Sequence, residues 1–415
     1  MKPSFLSHHA TVCKECDWVT PIPELQEGQQ LRCARCRSTL FYQPRQRLNN
    51  LLAFGGSAIL MLALSLSFPF LSFSVAGVGR TVSLWQEVST LLLNSFTFLG
   101  VLILIALLIL PALYLFCVIL LAWFLKRSRY QRLQTYLIRI LVGVQPWLMV
   151  DVFLVGVIVA LIKMQGSVSI DLGLSFWAFC GFVICLLKTV SMVDVRWFWH
   201  QVTAPSLSII LHSQTARSQG VKGCQTCGAI LLIDDTHCGR CGHEADSRKP
   251  QSIKVTIALL IASLIMYVPA NVFPMMETTY FGSTTPSTIV GGVLLLWSEG
   301  SYPVAAIILI ASVFIPIAKM LALSWLCWQS YRPSPYGIMK KLTLYRLTEF
   351  VGRWSMIDIF VVAILTGLVQ LGGLLTIYPG KAALCFASVV ILTMLAAKSF
   401  DPRLLWDKEE PAHDE

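Results

Sequence analysis

The sequence predicts an α-helical polytopic membrane protein made of two tandem, parallel repeats. Each repeat is a small cytosolic cysteine-rich ribbon followed by a four-span helical bundle with a short strand-forming outer loop. Three observations predict this. First, of 415 residues 56% are hydrophobic and 13% charged, with mean hydropathy +0.69, more apolar surface than a soluble chain of this length could bury. Second, a register recurs: Cys33-Ala34-Arg35-Cys36 returns as Cys238-Gly239-Arg240-Cys241, Phe68-Pro69 as Phe273-Pro274, and Pro111 as Pro316, all 205 residues on. At an offset of 207, Trp147 pairs with Trp354, Asp151-Val152-Phe153 with Asp358-Ile359-Phe360, Gly166 with Gly373, Asp194 with Asp401, Arg196 with Arg403 and Trp199 with Trp406. A register kept through such different chemistries marks a duplicated membrane module. Third, each copy begins with four cysteines and continues into membrane-length apolar runs.

The elements follow in order. The expected divisions are a ribbon at 1–47, a membrane module at 48–200, a linker and second ribbon at 201–250, a second membrane module at 251–406 and a tail at 407–415. Apolar runs near 51–70, 97–124, 147–165 and 174–195, then 256–275, 302–329, 354–371 and 381–400, each approach the ~20 residues that cross ~30 Å of hydrocarbon. Phe70–Val75 alternates, pauses at Ala76-Gly77 and resumes over Arg80–Leu84, which reads as a short β-hairpin, or alternatively as an irregular loop packed on the bundle. Pro69, Pro111, Pro269, Pro274 and Pro316 interrupt helical hydrogen bonding inside or at the ends of spans.

Charge placement orients the chain. The net charge of +10 invites a nucleic-acid reading, but the Lys and Arg residues flank apolar runs, as cytosolic ends of spans do. The segment 126–139 holds Lys126, Arg127, Arg129, Arg132 and Arg139, and its counterpart holds Arg332, Lys340, Lys341, Arg346 and Arg353. The opposite loops are almost free of cations. Both termini and both cysteine clusters are therefore expected in the cytoplasm, and the polar first 47 residues do not read as a signal peptide.

Cys13-x2-Cys16 with Cys33-x2-Cys36, and Cys224-x2-Cys227 with Cys238-x2-Cys241, have zinc-ribbon spacing. Two CxxC knuckles close a tetrahedral four-sulfur site, so two Zn2+ per chain are expected, one per ribbon. A filled four-cysteine site has no open position for chemistry, so its expected role is structural. Four-sulfur geometry also suits iron, which makes a membrane redox protein the rival reading. Gly228 and Gly242 suit the knuckle turns.

Ionisable and polar residues inside the apolar runs are the remaining signal, because a charge at the bilayer centre costs about 2.5–3.5 kcal/mol and needs water, a partner or an exit. Lys188, Ser191 and Asp194 in the fourth run, Lys319 in the sixth, and Thr393, Lys398 and Asp401 in the eighth are candidates for a polar transport cavity. Lys398 and Asp401 are spaced to pair; Asp194, Lys398 and Asp401 also lie near enough to the surface to snorkel. Lys188 aligns with Leu395 and Lys319 with Tyr114, so the copies diverge where the deep lysines lie. Asp151 and Asp358, four residues after Trp147 and Trp354, read as membrane-interface residues or as charges at helix starts. No Walker A, GxSxG or HExxH motif occurs, which argues against ATP hydrolysis by this chain and against an enzyme.

Two ribbons each leading into four spans, Trp147-x3-Asp151 and Trp354-Ser355-Met356-Ile357-Asp358, and the ending Phe400-Asp401-Pro402-Arg403-Leu404-Leu405-Trp406-Asp407 resemble the paraquat-inducible protein A family over essentially the whole chain. The resemblance implies a multi-pass protein of a Gram-negative inner membrane. It further implies a periplasmic partner of stacked mammalian-cell-entry (MCE) domains, a hexameric tunnel, with phospholipid-like lipids as the cargo passed between membranes. Proton coupling through Lys188, Asp194, Lys398 and Asp401 would fit such a transporter. A passive membrane anchor for the MCE partner is a third reading.

Overall fold

The structure is a computed structural model that describes residues 4–6, 10–23, 25–43, 46–75, 78–93, 97–127, 130–164, 169–203, 209–280, 283–298, 300, 302–332, 337–368 and 375–407. Seven helical segments among them are long and apolar enough to cross a membrane. The eighth expected span, 354–371, overlaps a shorter described helix, Ile357–Leu368, and residues 369–374 lie outside the described residues.

The first ribbon carries strands β1 (Ser4–Leu6), β2 (Ala10–Val12), β3 (Val19–Pro21), β4 (Gln30–Arg32) and β5 (Thr39–Tyr42). Helix α1 (Arg47–Ser67) leaves it and stops just before Pro69, and β6 (Leu71–Val75) and β7 (Val78–Val82) form the expected hairpin. Helices α2 (Leu84–Leu93) and α3 (Thr97–Ile103) lead into α4 (Leu110–Arg127), and α5 (Gln131–Val144) runs through a short turn at Trp147 into α6 (Val150–Met164). Strand β8 (Ser169–Leu172), α7 (Leu174–Met192) and α8 (Val195–Val202) complete the first half. The second ribbon carries β9 (Ile210–His212), β10 (Val221–Gly223) and β11 (Ile230–Leu232).

The second half follows the same order as far as its last long helix, and a 3-10 turn at Pro402–Leu405 stands where the first half has α8. This half comprises α9 (Ser252–Val272), β12 (Met276–Tyr280), β13 (Ser283–Ser287), α10 (Ile289–Ser298), α11 (Tyr302–Leu309), α12 (Ile315–Tyr331), α13 (Ile338–Trp354), α14 (Ile357–Leu368), β14 (Leu375–Pro379) and α15 (Lys381–Ser399). At the end of the bundle opposite the ribbons each hairpin gains a third strand, giving orders β7-β6-β8 and β13-β12-β14. Gly173 and Gly380 sit where these sheets meet the next helix; a Cβ there would lie 2.1 and 2.0 Å from the Pro69 and Pro274 carbonyl oxygens.

The matched prolines act locally. A proline ring clashes with the carbonyl four residues back, so ahead of Pro111 and Pro316 the chain widens into π-helical turns, Leu104–Ile109 and Ile310–Phe314. The two halves meet along α6 and α14, where Phe153 and Phe360 pack edge to face, centroids 5.5 Å apart at 79°. Gly156 admits the Phe360 side chain there, since a Cβ on it would stand 3.3 Å from the Phe360 Cβ. Large apolar side chains such as Leu60, Phe116, Ile184, Ile265 and Leu321 face outward from the spans, the pattern expected where the solvent is lipid. Arg127 over Trp123 and Arg332 over Trp328, at 4.3 and 5.7 Å, end α4 and α12 with the cation–aromatic pairs typical of a membrane boundary.

Candidate functional site

Each ribbon brings four thiols together. Cys13, Cys16, Cys33 and Cys36 form one buried group and Cys224, Cys227, Cys238 and Cys241 the other, with all sulfurs in a group within 4.8 Å of one another. None of the eight is in a disulfide. Contacts of 3.5 Å (Cys13–Cys36, Cys16–Cys33, Cys227–Cys238) and 3.6 Å (Cys224–Cys241) approach the edge, roughly 3.8 Å, of a tetrahedron with metal–sulfur bonds of about 2.3 Å. The donor set fits a tetrahedral metal, for which it would supply a structural cross-link. Each knuckle closes with a bond from the residue after its second cysteine back to the first: Asp17 N to Cys13 O, Arg37 N to Cys33 O, Gly228 N to Cys224 O and Gly242 N to Cys238 O. All four residues are left-handed, φ 61°, 59°, 73° and 67°. Glycine supplies this conformation in the second ribbon, whereas the first uses Asp17 and Arg37.

The ribbons dock crosswise. Cys13, Cys16, Cys33 and Cys36 pack with Leu323, Tyr345, Phe400 and Trp406 of the second half. Arg35 stacks 4.3 Å from the Trp406 ring. Arg346 on α13 donates to Glu15 and to the Cys36 carbonyl. Arg248 bridges Asp17, at 3.1 Å, and Asp407; burial would lower its guanidinium, but the two carboxylates hold it above the ordinary arginine value. Burial pushes the Asp17 carboxyl up against the pull of Arg248 and Arg403. The second ribbon meets the first half, where Arg139 on α5 donates to the Cys241 carbonyl and Arg240 reaches the Thr203 carbonyl at 2.9 Å. Between the ribbons, Val19 N–Gln214 O and Ala216 N–Asp17 O bonds of 2.8 Å lie beside a small apolar core of Val12, Val19, Leu211, Val221 and Ile230.

A cavity of about 400 Å³ opens between the two halves near the ribbons. The first half contributes Pro146, Leu148 and Asp151 with Val183, Leu186, Leu187 and Val190 of α7. The second contributes Lys319, Arg346, Glu349, Phe350, Arg353, Met394 and Lys398. The α7 wall is therefore aliphatic, while the facing side mixes the charges of Lys319, Arg346, Glu349, Arg353 and Lys398 with apolar Phe350, Met394 and Ala397. Lys319 is buried, its ammonium donating to Thr393 Oγ1 at 3.1 Å, while Thr393 donates to the Val390 carbonyl at 3.0 Å. Gly352 makes room for it: a Cβ there would lie 2.9 Å from Lys319 Nζ.

The expected transport residues divide. Lys319, Thr393 and Lys398 come together at this cavity, with Lys398 5.0 Å from the Trp147 ring of the other half. Lys188 and Ser191 do not: both face outward, and Ser191 bonds the Lys188 carbonyl. Leu187 and Val190 line the cavity, and one residue of helix turns a side chain by about 100°, which carries Lys188 off that face. Asp194 and Asp401 are helix caps. Asp194 accepts from Arg196 N at 3.0 Å, and Asp401 from Arg403 N at 3.1 Å. The Lys398–Asp401 pairing expected from spacing gives way to an Arg403–Asp401 ion pair at 2.7 Å, because Asp401 turns back to cap the final turn. Arg346, Glu349, Arg353 and Gly352 were not candidates from sequence, since they lie in a stretch that reads as a basic cytosolic link.

A polytopic membrane protein with two four-cysteine sites and a half-charged cavity between its halves is the class that this fold defines. The paraquat-inducible protein A family model matches residues 48–203 and again 253–410, and the chain belongs to that family. It is 41% identical over 98% of its length to the Escherichia coli (strain K12) protein named intermembrane transport protein PqiA, covering 99% of that relative. It is 28% identical to the E. coli protein named lipophilic envelope-spanning tunnel protein A, over 96% of this chain and 91% of the relative. A Haemophilus influenzae protein named probable intermembrane transport protein is 27% identical over 95% of both chains. These relatives are named as transport proteins, not enzymes. No solved structure gives a significant match.

Proposed function

We propose that the chain is the inner-membrane subunit of an MCE-type intermembrane lipid transport system. In this reading phospholipid-like lipids pass between the inner membrane and a periplasmic tunnel partner. The observation that carries it is the cavity between the halves. Its charged wall of Lys319, Arg353, Lys398, Asp151 and Glu349 suits a head group, and its aliphatic wall on α7 suits acyl chains. The names of the relatives support lipid transport. The two matched segments support two copies of one module, divided near 1–47, 48–200, 201–250, 251–406 and 407–415. The cations that end α4 and α12 support cytoplasmic ribbons and termini, and the sheets at the far end are then the surface offered to the MCE partner. Lys319 is buried with Thr393 as its acceptor, whereas Lys188 faces outward, which supports placing any proton coupling at Lys319–Thr393 in place of Lys188.

The test is lipid transfer from inner-membrane vesicles to the reconstituted partner. Lys319→Ala and Lys398→Ala should each cut transfer several-fold with assembly intact. Unchanged transfer in both would leave only the anchoring role. The metal is assigned as Zn2+; colourless protein with two zinc per chain by elemental analysis is expected, and coloured, iron-loaded protein would favour the redox reading.

A further inference from the structure

Arg346 sits where the first ribbon and the cavity meet. It lines the cavity, yet its guanidinium is occupied by the ribbon: Nε donates to Glu15 Oε2 at 3.0 Å, and Nη2 donates both to Glu15 Oε2 and to the Cys36 carbonyl, the latter at 3.0 Å. Glu15 lies within the first knuckle, between Cys13 and Cys16. Cys36 closes the second knuckle, so both acceptors belong to ribbon 1 while Arg346 belongs to the second half. Of the other three cations at this wall, Lys319 is bonded to Thr393, while Arg353 and Lys398 are held differently. Arg353 lies 6.0 Å from the Phe350 ring and Lys398 5.0 Å from the Trp147 ring. An aromatic face attracts a cation without consuming its N–H donors, so both remain able to meet a phosphate. Glu349, three residues beyond Arg346, lines this cavity and also a second one of about 310 Å³ bordered by Cys13 and Cys224. The ribbon end and the cavity are thus contiguous.

We propose that ribbon 1 is a metal-dependent positioning element for the cavity, acting through Glu15 and the Cys36 carbonyl on Arg346. The inference rests on the lipid reading of the cavity. A CxxC ribbon this small takes its shape from its metal, and both acceptors ride on the knuckles. With the ribbon folded, Arg346 is committed to Glu15, and Arg353 and Lys398 are the contacts for a head-group phosphate. With the ribbon open, Arg346 adds a second free guanidinium fork beside Arg353 and the Lys398 ammonium, and the cavity favours lipids of net negative charge.

The test uses the full chain in nanodiscs. Glu15→Gln removes the carboxylate and leaves all eight cysteines, and elemental analysis checks that metal content is retained. Phenylglyoxal labelling read by peptide mass spectrometry should modify Arg346 slowly in the wild type. Labelling should be several-fold faster in E15Q and, without any substitution, in wild type stripped by chelator. Fluorescent phosphatidylglycerol should bind E15Q several-fold more tightly than wild type, with phosphatidylcholine unchanged. Chelation should reproduce that gain in the wild type, add nothing in E15Q, and give no gain in Arg346→Gln. Unchanged Arg346 labelling in both metal-loaded E15Q and chelated wild type would overturn the proposal, as would equal gains for the two lipids. Should neither lipid bind any variant, the lipid reading of the cavity fails, and the labelling still decides whether the ribbon holds Arg346.

Discussion

The two halves run through the same elements in the same order up to their closing segments, yet at one buried position the second holds a cation where the first holds a phenol. Lys319 on α12 and Tyr114 on α4 stand at matching points, each a short step after its matched proline. Lys319 finds Thr393; Tyr114 is fully buried and its hydroxyl has no partner among the described residues. A bundle that tolerates an unsatisfied hydroxyl at one site and a hydrogen-bonded ammonium at the other is being held by its packing, not by either polar group. The difference teaches that the shared scaffold, with its sheets, π-helical turns and capped ends, builds the architecture. The charged side chains that line the cavity come mostly from the second half.

The largest effect tests how the halves are joined. Structural zinc in finger peptides contributes about 10–16 kcal/mol of apparent binding free energy, so Cys16→Ser and Cys227→Ser should each empty one site. Metal content should fall from two to one per chain by elemental analysis. Because the ribbons dock crosswise, Cys16→Ser should raise amide exchange in α13 and α15, and Cys227→Ser in α5 and α8. Loosening confined to the half that directly follows each ribbon would refute the crosswise assignment.

Next in size is Asp401. It is buried with Arg403, and it also accepts from Lys249 N at 3.1 Å. Removing one partner of a buried pair costs roughly 3–5 kcal/mol, which is the loss expected for Asp401→Ala in chemical unfolding. Burial alone would raise this carboxyl, but the hydrogen bonds and charge of Arg403 outweigh it and hold it below the usual carboxylate range. A lowered folded value means that its stabilisation is present above the unfolded value of about 3.9 and is lost as pH falls through the folded one. Wild type should therefore lose more stability than Asp401→Asn between pH 4 and pH 2.

The Lys319 and Tyr114 comparison comes third. Thr393→Val leaves the Lys319 ammonium without its acceptor and should cost about 1–3 kcal/mol. Tyr114→Phe should be neutral or stabilising by thermal unfolding, since it deletes a hydroxyl that bonds nothing. In lipid transfer the order should hold in the other sense: Lys319→Met impaired, Tyr114→Phe unaffected. Equal losses at both sites would remove the asymmetry on which the functional reading stands.

What the residues disclosed on their own was whatever depends on short spacing. The knuckles, the hairpin at Phe70–Val82, the paired prolines and seven of the eight expected spans meeting the membrane-length criterion follow from local rules and from one register. The third strand of each sheet was not legible, because β8 and β14 are four and five residues long and their pairing partner lies about a hundred residues away. Nor was the crosswise docking, which no local pattern encodes. Lys188 and Lys319 look alike in sequence, and only the rotation of α7 against α12 separates an outward lysine from a buried one. Arg346 and Glu349 were hidden for the opposite reason: a charged stretch reads as a solvated link until another domain is packed on it.

The smallest effect compares the two caps. Asp194 and Asp401 occupy the same register and both accept the backbone N–H two residues on, but their arginines differ. Arg403 turns its guanidinium back onto Asp401, whereas Arg196 sends its own to the ribbon, donating to Thr11 Oγ1 at 3.1 Å and the Leu40 carbonyl at 3.3 Å. Asp194 is thus a cap without an ion pair among the described residues. Its extra contact is a weak bond from Tyr42 N at 3.4 Å. Loss of an N-cap costs about 1 kcal/mol, so Asp194→Ala should destabilise far less than Asp401→Ala, and Asp194→Asn, which keeps the acceptor, less still. Unfolding of the three variants side by side measures this. A loss at Asp194 as large as that at Asp401 would mean that the carboxylate does more than cap α8, and would return it to the list of candidate proton carriers.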